Sequence, residues 1–89
     1  MATKTIYQNQ YLRLVRKLRE RREDLGISQA QLAAHLGWPQ QRASSIESGS
    51  RRLDVLEFCR LASALGVPPA EVSDLISKTM KAVRVTRIK

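Results

Sequence analysis

Three features of this 89-residue sequence predict an all-α domain of five short helices. Apolar residues recur at the three- and four-residue spacings of a buried helix face. Gly and Pro fall between the apolar segments rather than inside them. Two sequences, Ser28–Gln31 and Asp54–Glu57, have the polar pair at i and i+3 that opens a helix by satisfying its first free amides.

Each element follows from these signals. In the first, Tyr11, Leu14, Val15, Leu18, Arg22 and Leu25 share one helix face, with Asn9 as the expected N-cap and Gly26–Ile27 as the stop. Arg22 stands on that apolar stripe, where a charge is costly without a partner. The second helix opens at Ser28, turns Leu32 and Leu36 inward and stops at Gly37. Pro39 then suits a helix start because its missing N–H would be unpaired there anyway. That third helix runs through about Glu47 and ends before Gly49. Asp54 and Glu57 open a fourth, with Phe58, Leu61, Ala62 and Leu65 on one face and Gly66 closing it. Pro68 and Pro69 start a fifth, in which Val72, Leu75, Ile76 and Met80 face inward. Beyond Met80, residues 82–88 are β-branched and partly alternating, a short strand or a basic tail. A lone strand is not stable by itself. The expected division is an arm over 1–8, one domain over 9–80 and a tail over 81–89.

Charge narrows the function. Sixteen Lys and Arg stand against 8 Asp and Glu, a net +8. Residues 1–22 carry +6 and residues 78–89 carry +5, while 23–77 carry −3. Basic ends around a near-neutral middle suit contact with a polyanion, although solvated helix faces look the same by charge alone. The length leaves room for one compact core and little else. The single cysteine, Cys59, allows no internal disulfide and reads as a small buried hydrophobe beside Phe58. No apolar run is long enough to span a membrane, and the first residues lack the pattern of a signal peptide, so a cytoplasmic protein is expected. His35 stands alone without a second ligand at metal spacing, and the serines lack the His and carboxylate of a nucleophilic site. The expectation is therefore no catalytic residues, no metal, no cofactor and no enzyme.

The informative constellation lies between Gln29 and Ser48. Two helices of about eight residues meet at Gly37, with small Ala33 on the first and Ala43 and Ile46 facing inward from the second. This is helix-turn-helix spacing, which puts the second helix into a DNA major groove. The run ISQAQLAAHLGWPQQRASSIESGSRRLDVLEFCRLASALGVPPAEV resembles the phage repressor/Cro-type helix-turn-helix family, also called the XRE family. The likeness covers roughly residues 11–76 and rests on SQAQLA, Gly37, the Ile-Glu-Ser-Gly exit and LASALGV.

The resemblance implies a role for each matching position. Gln29 reaches a phosphate and braces the second helix of the motif. Gln40, Gln41, Ser44 and Ser45 contact bases, since glutamine pairs well with adenine N6 and N7. Arg42 takes a base or a phosphate, and Arg51 and Arg52 take phosphates. Arg22 pairs with Glu47, which would relieve the charge on the apolar stripe. Trp38 replaces the usual smaller turn residue and reads as a core or edge-packing side chain, with a wedge against the sugar-phosphate backbone as the alternative. Ser48 stands where the family often has Asn, which weakens a usual backbone contact. The expected function is a homodimeric repressor reading an inverted repeat in double-stranded DNA. Its dimer surface is assigned first to Val72, Leu75, Ile76 and Met80, and second to pairing of the 82–88 segment. The alternative is an antitoxin that binds its own operator and masks a toxin partner. A third reading is an architectural role on mobile DNA.

Overall fold

The computed structural model describes residues 2–79 and 87–88, with side chains from Gln8 onward. Five helices follow in order: α1 Ala2–Asp24, α2 Gln29–Leu36, α3 Gln40–Ser48, α4 Val55–Ala64 and α5 Pro69–Thr79. No strand occurs among the described residues. The 82–88 segment lies outside them except for Arg87 and Ile88, and so does Met80.

Leu18 of α1 meets Leu32, Ala33 and Leu36 of α2, Ala43 and Ile46 of α3, and Phe58, Leu61, Ala62 and Leu65 of α4 in one core. Helix α2 packs on α3 and α4, while α1 packs on α3 and α5. Ile46 and Leu65 are its largest fully buried side chains, each worth roughly 1.5–3 kcal/mol relative to exposure. Helix α1 therefore spans the molecule from the motif to α5, and its faces meet different neighbours.

Both polar pairs cap as their spacing demands. The Ser28 and Asp54 side chains accept from the amides of Gln31 and Glu57, whose side chains reach back to the cap amides. At the other end of α4, Arg21 donates from Nε to the Leu65 carbonyl (3.1 Å) and from Nη2 to the Gly66 carbonyl (3.2 Å). A cation on these free carbonyls satisfies them and complements the helix dipole.

Four local expectations are corrected. Helix α1 begins at Ala2 rather than at an Asn9 cap: no Gly or Pro interrupts residues 2–24, and Asn9 is exposed on the helix flank. Leu25 is exposed because the chain has already left the helix there, so the 3.6-residue period no longer places it. Ile76 is exposed rather than inward-facing. Cys59 is exposed too, on the outer side of α4, since Phe58, Leu61 and Ala62 set the buried face.

Candidate nucleic-acid interface

The turn between α2 and α3 is built from Gly37, Trp38 and Pro39. Gly37 adopts φ 71°, a left-handed conformation that a side chain would strain. Its amide donates to the Ala34 carbonyl (3.2 Å) and the Trp38 amide to the Ala33 carbonyl (2.8 Å), closing α2. Trp38 is buried in the core. The Arg42 guanidinium lies 5.3 Å and that of Arg60 6.0 Å from its ring centre, and Arg60 also donates to the Leu36 carbonyl (2.8 Å). A tryptophan in the turn is thus held by packing and by two cations.

Helix α3 divides into three faces. Ala43 and Ile46 are buried and fix its rotation. Gln40, Gln41, Ser44 and Ser48 are exposed together on the opposite side, with Ser45 half-buried at its margin. Glu47 points back into the fold. Its carboxylate accepts from Arg22 Nε (2.6 Å), Arg22 Nη2 (2.9 Å) and Gln29 Nε2 (2.9 Å), while Arg22 Nη1 donates to the Ile27 carbonyl (2.7 Å). Burial by itself pushes the Glu47 carboxyl upward, but the bonds from Arg22 and Gln29, with the charges of Arg22 and Arg19, outweigh it and hold the group below its ordinary value. The same hydrogen bond raises Arg22 against the opposing cost of burial. A forked ion pair thereby joins α1, α2 and the end of α3.

A second carboxylate organises the far flank. Glu57 caps α4 and accepts from Arg51 Nη2 (2.9 Å), with Arg42 Nη1 3.9 Å away. The Asp54 amide is the largest cause holding Glu57 below its ordinary range; Arg51 and Arg42 add to it against burial. Tyr11 fastens the intervening loop: its hydroxyl donates to the Arg51 carbonyl (3.2 Å) and accepts from the Leu53 amide (3.0 Å). The Arg52 guanidinium rests 5.1 Å from the Tyr11 ring centre. The open edge of α3 therefore carries neutral amides and hydroxyls, and the neighbouring arginines are held from behind.

A helix-turn-helix family model matches residues 18–72. A solved structure described as an XRE-family like protein from Pseudomonas syringae pv. tomato str. DC3000 is similar at 41% identity, with a TM-score of 0.80. The alignment covers 93% of this chain and 98% of that one. This chain belongs to the XRE family of helix-turn-helix proteins. No curated protein matches it. As an XRE-family member it is a DNA-binding regulator, and no helix among the described residues is long and apolar enough to cross a membrane.

The XRE-family positions are distributed unevenly in space. Gln40, Gln41 and Ser44 come together on one open edge. Arg42 turns instead toward Trp38 and Glu57, Arg51 toward Glu57, and Gln29 toward Glu47. Ser48 donates to the Ser45 carbonyl (3.1 Å) and meets the Ser50 hydroxyl (3.1 Å), so the loop that leaves α3 is bonded to itself. Val72 and Ile76 line an apolar groove with Cys59 of α4, whereas Leu75 lies between α5 and α1. Sequence reasoning missed two organising residues. Glu57 reads as a cap only, although a cap uses one oxygen and leaves the other for Arg51. Tyr11 reads as one more stripe residue, although a half-buried phenol needs a partner for its hydroxyl.

Proposed function

We propose that this protein is a homodimeric repressor that reads an inverted repeat through α3. The observation that carries this reading is the clamp of Glu47 by Arg22 and Gln29 behind an open edge of Gln40, Gln41 and Ser44. The clamp fixes the angle of α3, and the edge offers donors and acceptors that match base edges. Ser45 and Arg42 flank that edge, and Arg51, Arg52 and Gln29 supply backbone contacts. One nine-residue helix reads few base pairs, so a two-fold pair of them on half-sites about one helical turn apart gives both affinity and selectivity.

The dimer surface is assigned to the α4–α5 groove, where Val72 and Ile76 stand with Cys59 in a hollow of about 690 Å³. Leu56, three residues before Cys59 on α4, is exposed as well. Met80 belonged to the same expected surface and lies outside the described residues. Selection of binding sites from random duplex DNA at about 150 mM salt tests the reading. Enrichment of an inverted repeat supports it; avid, salt-sensitive binding with no enriched sequence overturns it. A second, different chain that copurifies on the groove would instead favour the antitoxin role.

A further inference from the structure

On the side that α3 presents most arginines are paired with acids, and Arg52, resting on the Tyr11 ring, is the exposed exception. On that side Arg22 is paired with Glu47, Arg51 with Glu57, and Arg19 with Glu23. Arg42 also lies within reach of Glu57, at 3.9 Å. Arg13, Arg16 and Lys17 differ. All three are exposed, and among the described residues none has an acidic partner. At 3.6 residues per turn they stand about 120–180° around α1 from Arg22, so the body of α1 separates them from the motif.

These three residues line a groove of about 340 Å³ with Leu75 and Lys78 of α5, and Glu20 is its one acid. Lys78 also meets Asp74 at 3.2 Å, so the net charge of this groove rests on Arg13, Arg16 and Lys17. The adjoining groove between the same helices carries Asp24, Glu71 and Asp74, and the basic stretch is confined to the end near Thr79. Helix α5 ends at Thr79, which lines the same groove. In sequence the chain then carries Lys81, Arg84, Arg87 and Lys89 and no acid.

We propose that the Arg13–Lys17 end of this α1–α5 face is a second DNA surface, taking the sugar-phosphate backbone of another duplex while α3 reads the first. Its chemistry fits phosphate better than protein: cations come from two helices, no aromatic side chain is present, and Leu75 is half-buried. Protein partners are usually anchored by Trp, Tyr or Arg in well-packed, desolvated pockets, whereas the cations here are exposed. The apolar α4–α5 groove, which carries no charged residue, has the opposite character. Binding here follows backbone charge, so it is insensitive to sequence and falls steeply with salt, with a slope of about three if three cations each replace a counterion.

The proposal rests on DNA as the partner but not on which α3 residues read it. It is tested by capture of a labelled second duplex of random sequence onto a bead-bound duplex carrying the selected site, at about 50 mM salt. The variant combines Arg13→Gln, Arg16→Gln and Lys17→Gln, all at exposed positions, with an unchanged melting temperature as the check on folding. Second-duplex capture should fall by about tenfold or more, while affinity for a single selected duplex changes by less than about twofold. A charge-preserving variant, Arg13→Lys with Arg16→Lys and Lys17→Arg, should retain capture. The proposal is overturned if the intact protein captures no second duplex, or if capture is unchanged in the Gln variant. It is equally overturned if single-duplex affinity and salt slope fall with capture, which would place these cations on the first duplex. Failure of the α3 reading would show differently, as capture that still depends on this face while Gln40→Ala leaves base preference intact.

Discussion

The two sides of α1 treat the same residue type in opposite ways. Toward the motif, Arg22 and Arg19 lie among carboxylates and serve as struts; away from it, Arg13, Arg16 and Lys17 have no acidic partner among the described residues. A count of basic residues therefore does not locate the reading surface. Where sequence is read, a rigid neutral edge is useful because amides and hydroxyls discriminate base edges, whereas a free cation attracts every phosphate alike. Internal carboxylates on the motif side supply that rigidity and neutralise Arg22 and Arg51, while Arg52 stays free of acids on the Tyr11 ring.

The largest effect should come from breaking the strut. Arg22→Met leaves Glu47 buried without its countercharge and is expected to cost about 3 kcal/mol of unfolding free energy, read from urea midpoints. Unchanged stability and DNA binding in that variant would show that the pair does not hold α3. Acid should weaken the same side selectively. Both Glu47 and Glu57 sit below their ordinary values. Their ionised forms thus stabilise the fold above the unfolded glutamate pKa of about 4.3, and that contribution is lost as pH falls through the lower folded values. A melting temperature that drops below about pH 4 in the native protein, and less in Glu47→Gln, is the expected result.

Smaller effects sharpen the contrast. Tyr11→Phe removes the hydroxyl that joins Arg51 to Leu53 and should cost about 1 kcal/mol, with faster amide exchange over residues 49–53. On the other side of α1, replacing Arg13, Arg16 and Lys17 by Gln should change stability by no more than about 0.5 kcal/mol. A larger loss by calorimetry would mean that these residues have structural partners after all.

Much of this arrangement was legible in the sequence because its signals are local. Ser28, Gln31, Gly37, Asp54 and Glu57 act within one or two turns, so spacing alone placed α2 and α4 and the turn between α2 and α3. The partner of Arg22 was a different matter: the stripe exposed the anomaly, and only the family resemblance named Glu47. What stayed hidden is long-range or unpunctuated. Nothing in residues 2–8 marks where α1 begins. The exposure of Cys59 depends on which side of α4 meets the core, and the bond from Tyr11 to Arg51 spans 40 residues. The division of cations into struts and free groups depends on which acids fold against them.

Comparing Gln40→Ala with Arg52→Ala tests whether neutral groups on α3 read sequence while flanking cations only position it. Each is titrated against the selected duplex and a scrambled one over a range of salt. Gln40→Ala should lose ~1–3 kcal/mol on the selected duplex and little on the scrambled one. Arg52→Ala should weaken both alike and reduce the salt slope by about one. Equal effects of the two substitutions on both duplexes would contradict the assignment of base reading to α3.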